Sequence, residues 1–282
     1  MKNIRFFQPD TVVHALEFLH EHPKARIVAG GTDLLPEYRE KEDNAITGFI
    51  DIMRIRELSG ISFDDHAAHI GALATHAMIA QNGTLKERLP VLSAACSHVG
   101  SPQIRNLGTI GGNIITMSAC ADTLPALLVL EARMVMRSLH QTRTITVEEY
   151  IDEKRKQLVP PGEMLIKIVC DLPDEVPLSY FFKLSRRAAA AKARMTVART
   201  AYIESDQVRN LRLSVGAVTS LALRYREAEK LIEGKAVTDQ LCCQAGERVV
   251  HDMLAVTGRR KSAAYKIPVL TEMVRRSLEG LQ

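Results

Sequence analysis

Two glycine pairs hold the residues of this chain best equipped for chemistry. The first lies in Ile27-Val28-Ala29-Gly30-Gly31-Thr32-Asp33-Leu34-Leu35-Pro36, where an apolar run meets paired glycines, then a hydroxyl and a carboxylate. The second lies in Gly108-Thr109-Ile110-Gly111-Gly112-Asn113-Ile114, closely preceded by Gln103-Ile104-Arg105-Asn106. Glycine permits positive φ and lets a ligand approach the backbone without a Cβ in the way. Consecutive N–H groups in such a turn can nest an anion, with the Thr32 hydroxyl as a further donor. Two such loops could close over one diphosphate. A tight turn holding no ligand accounts for either loop alone about as well, since neither GxGxxG nor GxxxxGK[ST] occurs. Downstream, Asp122 stands just before an apolar stretch from Leu124. On local grounds it reads equally as a helix N-cap or as a ligand-binding carboxylate.

The elements that must position these loops follow from periodicity. Val12, Val13, Leu16 and Leu19 have the spacing of an amphipathic helix, with Asp10 as its expected N-cap and a close near His20–Pro23. Residues 25–29 and 48–52 read as strands, and the crossover between them predicts a small α/β unit. Residues 70–72 read as a strand leading to Thr75 as a cap, 89–95 as a helix, and Asn106 to Ile115 as a β-type run broken by glycines. Strands are expected over 129–136 and 164–169. The polar, twice-proline segment from Pro173 to Pro177 is the best domain boundary. Beyond it, residues 211–218 alternate as a half-buried strand, and Thr238 caps a helix carrying Leu241, Ala245, Val249 and Met253. A last helix is expected after Pro268, with Leu270, Met273, Val274 and Leu278 inward. Strands followed by helices predict an α+β second domain.

With 282 residues, the chain has room for roughly two domains of ~150 residues. Its 46% hydrophobic and 25% charged content is that of a globular protein. The best apolar run, Leu124 to Leu130, falls far short of the roughly 20 residues of a membrane helix, so no membrane association is expected. The opening MKNIRFFQPD lacks an export signal's apolar core, which makes the cytoplasm the expected compartment. Net charge is only +4, and the basic clusters lie apart without interleaved aromatics, so no nucleic-acid partner is expected. Five cysteines without a CxxC pair predict reduced thiols and no metal site. HExxH and GxSxG are absent, and His98 reads as structural, so no protein side chain is expected to be catalytic. Hydride or electron transfer fits, because there a cofactor does the chemistry and the protein binds and orients it.

The two loops, taken with other blocks in order and spacing, resemble the FAD-binding medium subunit of molybdenum hydroxylases, such as that of carbon monoxide dehydrogenase, and the flavin domain of xanthine dehydrogenases. The blocks are IVAGGTDLL (27–35), IGA (70–72), QIRNLGTIGGNIITMSACAD (103–122), GEML (162–165) and FKLSRR (182–187). The resemblance runs end to end. It implies an α+β fold: a two-part vanillyl-alcohol-oxidase-type FAD-binding domain over residues 1–174, divided near residue 58, and a smaller α+β domain over 178–282. It implies FAD as cofactor and Ile27, Val28, Ala29, Gly30, Gly31, Thr32, Asp33, Leu34 and Leu35 as the first pyrophosphate loop. Thr109, Gly111, Gly112 and Asn113 would form the second, and Asp122 would hold sugar or ribityl hydroxyls. Val99 would line the flavin, Leu165 would contact the adenine region, and Lys183 would add a basic contact, the alternative for it being a solvated lysine.

As partners, the resemblance implies an iron–sulfur subunit and a molybdopterin-binding subunit in a hetero-oligomer, with NAD or another acceptor taking the electrons. The chain departs from many relatives after FKLSRR, where residues 188–194 read AAAAKAR with no carboxylate. It also lacks the cysteine-bearing insertion of benzoyl-CoA-type reductases, so no cluster is expected here. Cys120, just before Ala121 and Asp122, reads as a spectator thiol. Two other functions remain open at this level: a stand-alone flavin oxidoreductase, and a non-catalytic nucleotide-binding assembly module.

Overall fold

The computed structural model describes residues 4–41, 46–187 and 190–281; Ala188 and Ala189, in the carboxylate-free stretch, lie outside the described residues. In chain order the first elements are β1 (Arg5–Phe7), α1 (Val12–Glu21), β2 (Ala25–Val28), α2 (Leu34–Lys41), β3 (Gly48–Asp51), β4 (Ile61–Phe63) and β5 (Ala67–Gly71). A helical run follows: α3 (His76–Gln81), α4 (Gly83–Arg88), α5 (Pro90–Ser97), α6 (Pro102–Leu107), α7 (Ile110–Thr116) and α8 (Thr123–Val129). Next come β6 (Arg133–Arg137), β7 (Thr142–Thr146), α9 (Val147–Lys156), β8 (Met164–Asp171), β9 (Leu178–Ser185), β10 (Ala193–Glu204), β11 (Gln207–Gly216) and β12 (Leu223–Arg224). The chain closes with α10 (Arg226–Ile232), α11 (Asp239–Thr257) and α12 (Ala263–Glu279). Among the described residues no helix is long and apolar enough to cross a membrane.

Packing gathers the chain into two compact units. One takes the chain up to Ile79, Pro102–Thr116 and Glu131–Leu172; the other takes Ala80–Ser101, Met117–Leu130 and the chain from Pro173 on. In the first unit, β1, β3 and β2 form a parallel sheet in that order. Alternation along β3 serves both faces, because successive strand residues point to opposite sides. Ile50 joins Val12, Leu16 and Leu19 of α1, while Phe49 joins Val28 with Leu34 and Tyr38 of α2. Thr11, not Asp10, caps α1: it is the last extended residue, and its hydroxyl accepts from His14 N–H at 3.2 Å. The unit's second sheet is antiparallel, in the order β4-β5-β8-β6-β7.

Three other expectations change. Residues 106–115 are not a β run; α6 and α7 meet at Gly108-Thr109, and only a single bridge from Thr75 to Thr109 has strand character. The run's apolar content belongs to two unlike helices: α6 buries none of its residues, and α7 buries Ile110, Gly111 and Ile114. Residues 129–132 belong to the end of α8 and its turn, and the strand starts at Arg133. The last helix begins at Ala263, so Pro268 sits inside it.

The second unit is layered. Its sheet, β12-β11-β10-β9, is antiparallel, and the central strands β10 and β11 divide their side chains between two helical layers. Met195, Val197, Leu213 and Val215 pack with Val249, Leu270, Val274 and Leu278 of α11 and α12. On the opposite side Thr200 and Arg212 donate to Val129 O at the end of α8. Thr238 caps α11 through a hydrogen bond from Leu241 N–H.

In the first unit an arginine ties three segments together. The Arg143 guanidinium on β7 donates to Glu153 of α9 at 2.7 Å and to Glu163, just before β8, at 2.8 Å. The Glu163 side chain is only 1% exposed. Removing one partner of a buried pair strands the other charge. Arg143→Met is expected to cost about 3 kcal/mol in denaturant unfolding, and adding Glu163→Gln should recover most of it. Equal stability of the single variant and wild type would refute this coupling.

Candidate functional site

The first glycine loop joins β2 to α2; of the expected second loop only Gly108-Thr109 joins α6 to α7, while Gly111, Gly112 and Asn113 lie inside α7, and within the first unit the two segments touch. A Cβ on Gly30 would lie 1.9 Å from the Leu107 carbonyl oxygen and 3.2 Å from Gly108 Cα. No side chain fits there. Gly31 has φ +66°, the left-handed region, which the turn into α2 requires. A Cβ on Gly108 would meet Ile104 O at 2.9 Å and both His76 Cδ2 and Thr32 Oγ1 at 3.4 Å. The Gly108 carbonyl accepts from His76 N–H at 3.1 Å, so the second loop is also held from α3.

The loops differ in what they offer a ligand. Among the described residues, the N–H groups of Gly30, Gly31, Thr32, Asp33 and Leu34 make no hydrogen bond to protein, and neither does the Thr32 hydroxyl. Five adjacent amides without a protein acceptor are the kind of donor set that can receive an anion. The second loop's amides are already used: Ile110 N–H donates to Ala74 O (2.9 Å), Gly111 N–H to Ala72 O (3.1 Å) and Gly112 N–H to Thr109 Oγ1 (3.0 Å). Gly111 is glycine because a Cβ would lie 2.6 Å from Ala72 O, so protein rather than ligand crowds it. Sequence reasoning treated both loops as nests; the structure gives free donors to the first and close packing to the second. Asn113 N–H donates to Thr109 O at 3.0 Å, inside α7. Ile27 and Val28 belong to β2, Ala29 follows it, and Leu35 packs beside Gly31. Leu165 is a buried residue of β8, opposite Met136.

In the second unit Asp122 precedes α8 but does not cap it; its backbone is helical and its carboxylate makes no capping bond. Instead Asp122 Oδ2 accepts from Lys183 Nζ at 2.6 Å, both side chains being nearly buried, at 5% and 6% exposed. Lys183 also donates to His98 O at 2.8 Å, so it is not a solvated lysine. Strand alternation explains this: Lys183 shares its side of β9 with Phe181, whose ring lies 5.6 Å from that of His98. Burial pushes the Asp122 carboxyl up to about 6, against the opposing pull of Lys183. Asp122 Oδ1 is buried with no hydrogen-bond partner among the described residues. Such an acceptor calls for a donor, which a ligand hydroxyl would be able to supply. Val99 is buried just past the end of α5, and Cys120 is half-buried. His76 and the Leu107 carbonyl were missed from the sequence; a backbone oxygen leaves no signature there.

Residues 2–173 match the family described as the FAD binding domain in molybdopterin dehydrogenase, and residues 180–281 match the CO dehydrogenase flavoprotein C-terminal domain. The chain belongs to the FAD-binding flavoproteins of molybdopterin dehydrogenases. It is 32% identical over 274 residues to the nicotinate dehydrogenase FAD-subunit of Eubacterium barkeri, covering 94% of this chain and 92% of that one. It is 26% identical to the xanthine dehydrogenase FAD-binding subunit of Escherichia coli O157:H7, covering 94% and 91%. A solved carbon monoxide dehydrogenase from Hydrogenophaga pseudoflava superposes with a TM-score of 0.91 at 26% identity, over 98% of this chain and 96% of that one. This flavoprotein therefore has the carbon monoxide dehydrogenase medium-chain fold, binds FAD, and is a subunit of a dehydrogenase complex of the xanthine or carbon monoxide dehydrogenase type. The unpaired amides of Gly30–Leu34 suit a diphosphate, and the orphaned Asp122 oxygen suits a hydroxyl; both are groups that FAD carries.

Two measurements follow from this geometry. Gly30→Ala drives a methyl into the Leu107 carbonyl and is expected to cost about 3 kcal/mol of stability together with FAD retention. Gly83→Ala, whose Cβ would have nothing within 4 Å, should leave both unchanged. Thermal melts and released-flavin absorbance read the outcome, and normal FAD retention in Gly30→Ala would refute the loop contact. The second measurement concerns pH. From about pH 4 to 6 the folded Asp122 keeps a proton that the unfolded chain has released, so its contribution to stability falls as pH rises. His76, pulled down to about 4 by burial and by Arg105, acts in the opposite direction. The difference between wild type and Asp122→Asn cancels the His76 effect, and it should shift against wild type by about 3 kcal/mol across that window. Parallel melting curves from pH 4 to 7 would rule this out.

Proposed function

We propose that this chain is the electron-transfer flavoprotein of a cytoplasmic, hetero-oligomeric molybdenum hydroxylase. Electrons reach it from an iron–sulfur partner and leave to NAD or another acceptor, while a molybdopterin-binding partner oxidises the substrate. The observation that carries the reading is the run of five unpaired amides at Gly30–Leu34, closed against Leu107 and Gly108. Bound FAD supplies the redox chemistry. The chain's own residues bind and orient it. The first loop's amides and Thr32 hold the diphosphate, and the Thr109–Asn113 segment backs that loop through close packing. Asp122, paired with Lys183, accepts from a ligand hydroxyl. Val99 and Leu165 add apolar walls, which exclude water and restrain the ring systems.

No side chain is assigned as a general acid or base. The partner assignment draws on the relatives, among them a carbon monoxide dehydrogenase medium chain and a nicotine 6-hydroxylase medium subunit. It also suits a chain whose five cysteines include no CxxC pair.

Anaerobic titration of the purified, FAD-loaded chain with NADH tests the acceptor. Bleaching of the flavin absorbance is expected. Bleaching by dithionite but not by NADH would assign a different acceptor. Folded protein that releases no FAD on denaturation and takes up none when it is added would overturn the reading as a whole.

A further inference from the structure

An open sheet has two edges, and most edges in this chain are short. Among the described residues the terminal strands β1, β2, β4, β7 and β12 run to 3, 4, 3, 5 and 2 residues, whereas β9 runs to 8. Beyond its ladder with β10, β9 makes no main-chain hydrogen bond to another main-chain group among the described residues. A long edge strand is a template for a further strand, and proteins usually guard it with charges or a proline. β9 contains no proline, and its one charged side chain, Lys183, is turned onto Asp122 and nearly buried. Phe182 is instead 43% exposed and Leu178 47%. Tyr180, Phe182 and Leu184, on the side of β9 away from Lys183, line an apolar groove of ≈ 410 Å³. Its other wall is Pro268, Val269 and Met273 of α12.

Unlike charges flank the two ends of the strand. Asp174 and Glu175 are exposed before it, and Arg186 and Arg187 are exposed after it. None of the four forms an ion pair among the described residues. Such an edge is complementary to itself: a second copy turned about a two-fold axis runs antiparallel, so its arginine end meets the acidic end of the first. We propose that β9 is a self-association edge, through which two copies of this chain pair antiparallel in a register centred on Phe181. That register sets Phe182 of each copy opposite Tyr180 of the other, Leu184 opposite Leu178, and Arg187 opposite Glu175. The two grooves then meet at the axis, and the exposed Phe182 and Leu178 are covered. β12, the sheet's other edge, is too short to continue the pairing, which therefore closes as a dimer. The dimer goes beyond the flavoprotein reading and does not depend on it.

Sedimentation equilibrium of the full-length chain, from low to high micromolar concentration, tests the pairing. Thermal melting of dilute samples checks the fold of each variant. Wild type is expected to reach a dimer and go no further. Phe182→Lys removes an apolar contact twice per dimer and should raise the dissociation constant by about tenfold or more, with melting unchanged. Glu175→Arg and Arg187→Glu should each weaken the dimer by about threefold, since like charges then oppose each other. Combining the two exchanges restores unlike pairs across the axis and should return association to within about twofold of wild type. Wild type that stays monomeric leaves the edge to a different partner or to none, and overturns the proposal. Growth past the dimer, a dimer indifferent to Phe182→Lys, or a double exchange that fails to recover association also overturns it. If Phe182→Lys melts early, the charge exchange decides in its place.

Discussion

Backbone meets backbone where Gly30 lies against the Leu107 carbonyl, in a gap that a Cβ would reduce to 1.9 Å. Much of the first unit is arranged around that approach. β2 must end at the right point of a parallel sheet, Gly31 must turn left-handed into α2, and α6 must break at Gly108 so that its last carbonyl faces the loop. Because the contact lies between main chains, it tolerates almost no adjustment, and interiors at this density pass on small displacements. The same approach leaves the Gly30–Leu34 amides without protein acceptors. One steric constraint thus produces both the shape of the site and its polarity.

The second unit solves a different problem. Asp122 and Lys183 are almost fully buried, where isolated charges would be expensive. Burial raises the Asp122 carboxyl, Lys183 opposes the rise, and His98 O accepts a second hydrogen bond from the lysine. The pair leaves one carboxylate oxygen unsatisfied, which is a poor arrangement for stability and a useful one for a hydroxyl-bearing ligand. Buried ion pairs seldom stabilise a fold strongly, which is consistent with the binding role proposed for this one.

Local chemistry was legible in the sequence where one residue type suffices to express it. The glycine pairs, the Thr238 cap, the apolar stripes of α1 and α11 and the alternating β11 all appear as patterns of side chains. Errors fell where backbone decides. Asn106 to Ile115 reads as a β-type run broken by glycines, yet it forms the end of α6 and most of α7, and the Ala72 and Ala74 carbonyls receive the amides of Gly111 and Ile110. Asp10 and Thr11 are both good caps, and only the extended conformation of Thr11 chose between them. Asp122 looked like a cap because it precedes a helix; its partner, Lys183, is 61 residues away in sequence.

By itself the sequence determined the family, the α+β class and the two loops, since glycine pairs and ordered motif blocks survive in one-dimensional form. Tertiary structure alone decided what each loop does: free amides in the first, amides tied to Ala72, Ala74 and Thr109 in the second. It also decided that Lys183 is buried on Asp122 and that the His76 ring sits at the loop junction. The physical reason is the same in each case. Which carbonyl, carboxylate or ring a group meets depends on where a segment distant in sequence runs, and the residues on either side of that group do not record it.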